Sequence, residues 1–300
     1  MSVLLALLLD FSLGEPPTRA HPVVWMGRYL NWIGRTLPGH PPRQAFWLGA
    51  FYWGLGVTGV TGLYALLAAA LVRLPWPLET ALLALLLKPL FAFRMLLEEV
   101  GAVETALQRS LEAGRLQLSR IVSRDTSALS EAQVREAALE SLSENLADSL
   151  LAPLFWYVLL GLPGAALYRF ANTADALWGY HGRWEWGGKW AAKADDLLSY
   201  LPARITGLFL LAIPLAREKI PWARLVREAR KTPSPNSGWP MAALALRLGV
   251  RLGKPGVYTL NPEGRVPVPA DMQAGERRVR LVGWSLALGL GLLSLGVRHA

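Results

Sequence analysis

The sequence predicts an all-α fold, a polytopic integral membrane bundle of helices with a broken or re-entrant segment and a polar cavity. Residues 44–72 contain no charged side chain, and this run is longer than the roughly 20 residues that span a bilayer core as a helix. The hydrophobic share of 53% exceeds the roughly 45–50% of soluble domains. Acids and amides are concentrated beside the apolar runs. Because such groups are costly next to hydrocarbon, their concentration indicates a polar site.

Five apolar segments are expected to be membrane helices of a single domain spanning residues 1–300. The N-terminal stretch Met1–Leu9 is interpreted as a retained short or partly inserted helix, because Asp10 follows it and no basic leader precedes it. Two of the segments contain charged residues, and Pro89 and Pro202 predict a kink in each. The five segments lie near 44–72, 74–97, 149–168, 197–216 and 281–297, and an amphipathic helix is expected near 131–148.

The third apolar segment decides the expected topology. If all five segments cross fully, residues 169–196 lie on the opposite side of the membrane from residues 98–148 and 217–280. The third segment contains Gly161 and Pro163, and a broken or re-entrant segment is tolerated where protein or a water-filled cavity covers the freed backbone. We therefore favour a polar cavity that reaches into the membrane from the cytoplasm.

The net charge of +9 is unevenly distributed along the chain. Residues 217–280 contain 13 Lys and Arg against 5 acids, which is typical of a cytoplasmic segment that obeys the positive-inside rule. Binding of phosphate or carboxylate groups is an alternative, and nucleic-acid binding is not expected. The absence of cysteine excludes disulfides and thiolate metal sites.

The helix expected near 131–148 begins with a capping-box pattern, Ser130 followed by Gln133. Acids then recur at every fourth position, which places neighbouring carboxylates on one face about 5–6 Å apart at Cβ. A solvated outer face is one interpretation. The other is a magnesium site, because hard cations prefer oxygen ligands and offset carboxylate repulsion. The acids are Glu136, Glu140, Glu144 and Asp148, and Asn145 adds an amide oxygen.

A second polar cluster follows the third apolar segment. Asn172 and Asp175 are three residues apart and would share a helix face with Thr173 beside them. Helix capping by Asn172 is the alternative. The pair Asp195 and Asp196 precedes the next apolar segment, where it predicts a second metal-directed or phosphate-directed site, or an ordinary helix-terminal charge.

Three further groups are candidates for binding. Arg124 lies in the loop before the amphipathic helix, where it could hold a phosphate or carboxylate or simply belong to a turn. Arg204 lies in the fourth apolar segment. The stretch Ser234–Pro240 contains two prolines, a glycine and Asn236, which is typical of a turn or a binding loop. His21, between Ala20 and Pro22, is a weaker candidate.

At these residues the sequence resembles the cobalamin-biosynthesis membrane proteins called adenosylcobinamide-phosphate synthases, or cobinamide synthases. The motifs run in the family's order from about residue 5 to 258, and several motifs in register are more specific than any one. Ser123 stands where the family usually has Gly. The motifs are LLLDFSLGEPPTRAHPVVWMGR, SRDT at 123–126, ESLSENLADSLLAPLFW at 140–156, YRFANTADALWGY at 168–180, KADDLLSYLPARITGL at 193–208 and SPNSGWPMAA at 234–243.

This resemblance implies an ATP-dependent ligase that joins adenosylcobyric acid to (R)-1-amino-2-propanol phosphate or a related amino alcohol. An acyl phosphate route would require ATP, Mg²⁺ and cations for phosphate, and the chain has no P-loop motif. The expected partners are the corrinoid, the amino alcohol phosphate, the lipid bilayer and other enzymes of the pathway. The expected location is the cell (inner) membrane, multi-pass, with the active site facing the cytoplasm.

The resemblance also suggests roles for the candidate residues. Glu140, Glu144, Asn145 and Asp148 would hold Mg²⁺–ATP. Asp175 with Asn172, or the Asp195–Asp196 pair, would add metal contacts or accept the amine proton, while Arg124 and Arg204 would steady phosphate; Thr173 and Asn236 are further cofactor-binding candidates. A small-molecule transporter and a non-catalytic regulatory relative are the alternatives, the first because Lys88, Arg94 and Arg204 interrupt apolar segments.

Overall fold

Helices form nearly all of the regular secondary structure in the computed structural model, which describes residues 1–180, 182–213 and 220–297. The predicted all-α class is therefore confirmed. The helices are α1 (Ser2–Leu13), α2 (Pro22–Gly34), α3 (Pro42–Leu71), α4 (Trp76–Leu87), α5 (Phe93–Leu107), α6 (Leu111–Leu118), α7 (Glu131–Leu146), α8 (Ala152–Trp178), α9 (Lys189–Leu198), α10 (Tyr200–Ala212), α11 (Trp222–Ala229), α12 (Gly238–Leu248) and α13 (Pro269–Val297).

Three helical stretches are long and apolar enough to cross a membrane: Pro42–Leu71, Trp76–Leu107 and Glu131–Trp178. They overlap the first three predicted segments almost completely. In its described part, the fourth predicted segment, 197–216, comprises the end of α9 and then α10, whose 13 residues are about 20 Å long. Residues 214–216 lie outside the described residues. The last segment, 281–297, forms the second part of α13. Both remain predictions as membrane crossings.

Two predicted breaks occur where glycine and proline were expected to cause them, whereas Pro202 lies in the first turn of α10 and does not kink that helix. Within α8, Gly161 has φ 67° and ψ −159°, a conformation that is accessible to glycine because it has no Cβ. Pro163 follows inside the helix and lacks the N–H that a continuous helix would use. Between α4 and α5, Lys88–Leu90 forms a 3₁₀ turn that contains Pro89. The third and second apolar segments are therefore both interrupted.

The chain divides into two compact units, each assembled from separated stretches of sequence. The first comprises Met1–Ala92, Ala152–Ser199 and the chain from Ala287, and the second comprises Phe93–Leu151 and Tyr200–Leu286. A single membrane domain remains a prediction.

In the first unit, α8 packs against α2, α3 and α9, and α1 packs against α4. Glycines on α3 allow close approach. A Cβ at Gly49 would fall on the carbonyl oxygen of Gly187, and one at Gly56 would fall on the rings of Phe170 and Tyr29. The loop between α8 and α9 therefore contacts α3 near the N-terminal end of that helix.

In the second unit, α7 packs against α5, α6 and α12, while α12 also packs against α10 and α11. The predicted capping box is present, because Ser130 and Gln133 each bond the other's backbone N–H. A short antiparallel hairpin joins β1 (Leu252–Lys254) to β2 (Tyr258–Leu260). This hairpin was not expected from the sequence; its turn contains Gly256 with φ 73°.

Candidate functional site

The first unit brings together the polar residues at the end of α8 with the acids of α9. Asp175 lies in the last turn of α8, and Asp195 and Asp196 lie in the second half of α9. The carboxylates of Asp175 and Asp195 are close enough for their charges to interact, and Asp196 adds a third negative charge. The residues around Asp175 and the Asp195–Asp196 pair, which are separate in the sequence, therefore form one cluster.

Hydrogen bonds fix Asp195 within this acid cluster of Asp175, Asp195 and Asp196. The amide of Asn172 donates to Asp195 Oδ1 over 3.2 Å and accepts from Arg169 Nη1 over 3.3 Å. Arg169 is itself held by a 2.7 Å bond from its Nε to the carbonyl of Leu90. The Ser199 hydroxyl lies 3.5 Å from Asp195 Oδ2. Asn172 is thus a bridge between a guanidinium and a carboxylate, not a helix cap.

The electrostatics of the cluster raise the pKa of Asp195. Burial, together with the nearby carboxylate of Asp175, raises the pKa of Asp195 to about 7. Burial also raises the pKa of Asp196, although the charge of Lys193 lowers it in part. A carboxylate with a pKa near neutrality can accept a proton from a reacting group and release it again.

Gly179 has no side chain, and the Asp175 carboxylate occupies the space where a Cβ would lie. The Gly179 backbone N–H closes α8 by bonding the carbonyl of Asp175 over 2.7 Å. A Cβ at this position would fall on Asp175 Oδ1. The adjacent candidate Thr173 has its hydroxyl directed to the backbone, donating to the carbonyl of Arg169 over 2.7 Å. Its binding role remains a prediction.

The second unit pairs the acids of α7 with arginines. Arg124 Nη2 donates to Glu140 Oε2 over 2.7 Å, and Arg251 donates to Glu136 Oε1 over 3.1 and 3.3 Å. Glu140 and Glu136 are only 1% and 4% exposed. These two acids therefore do not belong to a solvated outer face, which was one interpretation of the acids at every fourth position. We call these four acids the carboxylate stripe.

The remaining candidates on this stripe are in different surroundings. Glu144 and Asp148 are partly exposed, and Asp148 lies in a π-helical turn, Ala147–Leu151, after α7 ends. The Asn145 amide donates to the Ser141 carbonyl over 2.9 Å, and its oxygen accepts from Ser149 over 3.2 Å. Both polar atoms of the Asn145 side chain therefore form hydrogen bonds with neighbouring turns of the same helical stretch.

Across residues 1–180, 182–213 and 220–297, no three His, Asp or Glu side chains converge as a ready set of metal ligands. A nucleotide-bound Mg²⁺ usually takes only one or two carboxylates together with phosphate oxygens and water. Pairs of acids such as those described here can supply that number, so the donor chemistry fits Mg²⁺ in company with a phosphate ligand.

Arg204 organises the loop Ser234–Pro240. Its guanidinium lies 3.3 Å from the Tyr200 ring centroid and 4.7 Å from that of Trp239. It donates to Asn236 Oδ1 over 3.2 Å and to the Pro235 carbonyl over 3.3 Å. The loop is thus a structured element anchored on Arg204, and Asn236 is buried within it. The phosphate role of Arg204 and the cofactor role of Asn236 remain predictions.

Several residues around the two sites were not selected from the sequence. Arg169 and Ser199 lie inside family-like motifs but were not assigned a role. Arg251, Lys254 and Tyr258 belong to the hairpin, and the signal that could have revealed them is the Pro255–Gly256 turn between short β-prone runs.

Comparisons with known proteins agree with the resemblance of the motifs. The profile of the family described as CobD/Cbib protein matches residues 3–282. The chain is 42% identical over 298 residues to the probable cobalamin biosynthesis protein CobD of Thermococcus kodakarensis, covering 98% of this chain and 96% of that protein. It is 40% identical over 310 residues to the cobalamin biosynthesis protein CobD of Chromobacterium violaceum, covering 99% and 97%.

A third relative is similar over most of the chain. The probable cobalamin biosynthesis protein CobD of Methanothermobacter thermautotrophicus is 41% identical over 262 residues, covering 86% of this chain and 85% of that protein. No solved structure matches the chain significantly. Because the family profile and these relatives cover nearly the whole sequence, the chain belongs to the CobD/Cbib protein family.

Proposed function

We propose that this chain is a membrane enzyme of cobalamin biosynthesis, an ATP-dependent ligase that joins adenosylcobyric acid to (R)-1-amino-2-propanol phosphate or a related amino alcohol. Family membership supports the pathway. The observation that carries the reaction type is the acid cluster, in which Asp195 has a pKa of about 7. Amide formation from an amine requires a group that accepts a proton near neutral pH.

The reaction can be written in two balanced steps. The propionate carboxylate attacks the γ-phosphorus of ATP, forming an acyl phosphate and releasing ADP. The neutral amine then attacks the acyl carbon, the C–O bond to phosphate breaks, and the amine proton is transferred to a base as inorganic phosphate leaves. A bound Mg²⁺ would neutralise charge on the phosphate oxygens.

The side chains of each unit suit different parts of this chemistry. Asp195 would accept the amine proton, with Asn172 holding its carboxylate in place. Asp175, whose charge interacts with that of Asp195, would hold the ammonium group before it loses its proton. Arg124 would contribute positive charge for phosphate, and Glu144 and Asp148 would bind the metal that accompanies the nucleotide.

The direct test is turnover by the purified protein in detergent or nanodiscs. We expect amide product and ADP in equal amounts when adenosylcobyric acid, aminopropanol phosphate, ATP and Mg²⁺ are all present. Omission of any one should abolish product formation. ADP release that does not depend on the corrinoid and amine, or transport of an intact substrate across a vesicle, would contradict a ligase.

The charges that suggested a transporter have partners in the fold. Lys88 lies 3.3 Å from Asp10 and 2.8 Å from Glu15, and Arg94 pairs with Glu98 over 2.6 Å. Charges that are already paired do not by themselves indicate a substrate pathway, so no specific observation favours transport over ligation.

The first unit also supports a cytoplasmic position for the acid cluster. The loop between α8 and α9 contacts α3 at Gly49, about seven residues and therefore about 10 Å from the first residue of that helix. Arg28, Arg35 and Arg43 lie near that end, whereas Arg73 alone follows the other end closely. The positive-inside rule then favours a cytoplasmic location for the N-terminal end of α3 and for the loop beside it.

Single introduced cysteines test this orientation, because the chain has no cysteine of its own. In intact cells, a membrane-impermeant thiol reagent should label Arg73→Cys and leave Tyr180→Cys unlabelled. Inverted vesicles should give the opposite result. Both positions are exposed, so the two variants control for each other; labelling of Tyr180→Cys in intact cells would contradict a cytoplasmic site in the first unit.

A further inference from the structure

The hairpin of the second unit forms one side of a pocket of about 560 Å³. Its walls come from both strands and the turn of the hairpin, from Arg251 just before β1, and from Gln133 and Glu136 of α7. The volume lies within the range of about 300–1,000 Å³ that is typical of small-molecule sites. We call this space the hairpin pocket.

One part of the hairpin pocket is positively charged. Arg251 is held by Glu136, as described above, and its side chain is 41% exposed. The Lys254 ammonium makes no hydrogen bond or ion pair with the residues that the structure describes, although it lies within electrostatic range of Glu140. Beneath the strand, Arg124 reaches the Gly253 carbonyl over 3.5 Å. Arg124 and Arg251 are each paired with a glutamate, so Lys254 is the cation that remains for an anion.

The other part of the hairpin pocket is apolar and partly flat. It is formed by Pro255, Val257 and Pro262, together with the ring of Tyr258. Burial, followed by the nearby carboxylate of Glu140, raises the pKa of the Tyr258 phenol, so the ring stays neutral. A neutral aromatic and aliphatic wall beside cations complements a ligand that combines a flat apolar ring with phosphate groups.

We propose that the hairpin pocket binds a nucleoside triphosphate, with its base on the apolar wall and its phosphates on Lys254 and Arg251. This proposal rests on the proposed function, since that reaction consumes ATP, and it locates the nucleotide on residues that no sequence motif indicated. Glu136 lines the pocket and accepts the hydrogen bonds of Arg251, so it holds that guanidinium in place for the phosphates.

Equilibrium binding of radiolabelled ATP to the purified full-length protein tests the proposal without depending on turnover. We expect Lys254→Ala to weaken ATP binding by about 10- to 100-fold, the effect of losing one or two charge-assisted hydrogen bonds. Arg227→Ala is the matched control, because this cation of the same unit has a 71% exposed side chain and lies outside the pocket. It should bind ATP like the wild type.

Competition separates a nucleotide from other phosphate ligands. Unlabelled ATP should displace the label, whereas inorganic phosphate and phosphoethanolamine at the same concentration should not. Unchanged affinity in Lys254→Ala, or displacement by phosphoethanolamine as effective as that by ATP, would overturn the nucleotide assignment. Lys254→Arg, which keeps the charge, should retain most of the affinity; if it fails as Lys254→Ala does, the lysine is structural and the proposal is wrong.

An error in the nucleotide site and an error in the proposed reaction would give different experimental results. If the enzyme forms amide but Lys254→Ala binds ATP normally, the nucleotide site is elsewhere and the function stands. If ATP binds in a Lys254-dependent manner but no amide forms with all substrates present, the pocket stands and the reaction is wrong.

Discussion

Replacing Asp195 by Asn should lower amide formation by about 10²- to 10⁴-fold, the range that a general base contributes. The substitution keeps the shape and an oxygen that can accept the bond from Asn172, but it removes the proton acceptor. ATP binding should change little. Activity should be measured at saturating substrate concentrations, with Glu185→Gln as the control, because Glu185 is a partly exposed acid of the same unit and outside the acid cluster.

Asp195→Asn should also remove the part of the pH dependence of turnover and of unfolding that comes from Asp195. The folded-state pKa of Asp195, about 7, lies above its ordinary value of 3.8, so the folded protein binds this proton more tightly than the unfolded chain. The resulting stability is fully present below pH 3.8 and is lost as the pH rises through about 7. Wild-type turnover should rise over the pH range around 7 where Asp195 deprotonates. An Asp195→Asn variant that keeps the wild-type pH profiles of turnover and unfolding would exclude Asp195 as the base.

The acid cluster could be predicted in part because its members carry local signals. Asn172 and Asp175 are one helical turn apart, and Asp195 lies close to the next apolar segment. Their meeting depends on the packing of α8 against α9, which residue spacing does not contain. Arg169 was missed for the same reason, since its role follows from contact with Leu90, 79 positions away.

The carboxylate stripe on α7 shows that residues spaced by four do not stay on one face of a helix. A helix turns about 100° per residue, so each step of four drifts by about 40° around the axis. Glu136 and Glu140 therefore lie on the buried side, while Glu144 is partly exposed. Arg251, which pairs with Glu136, is 115 positions away and lies in a region whose composition indicated only a basic segment.

The lengths of the apolar helices and the positions of their breaks were the most predictable parts of the fold. An uncharged run of residues and a glycine followed by proline are local properties, and α3 and the kink at Gly161 follow from them. The hairpin is different, because its strands have three residues each and are too short to show a period of two.

Replacing Lys88 by Met should destabilise the protein by about 3–5 kcal/mol, the cost of leaving a buried charge without its partner. The Lys88 and Asp10 side chains are 4% and 0% exposed, and the Lys88 ammonium also lies 2.8 Å from Glu15. Without it, two carboxylates lose the charge of the Lys88 ammonium. Glu15 keeps its contact with His21 over 3.0 Å.

The free energy of unfolding, measured by denaturant titration in detergent micelles, checks this prediction. Arg94→Met is the control, because the Arg94–Glu98 pair is 36% and 60% exposed and exposed pairs contribute only about 0–1 kcal/mol. The double variant Lys88→Met with Asp10→Leu should recover much of the loss, since replacing both members of a buried pair by apolar side chains is often neutral. If the double variant is less stable than Lys88→Met alone, loss of the buried Lys88–Asp10 ion pair is not what destabilises the single variant.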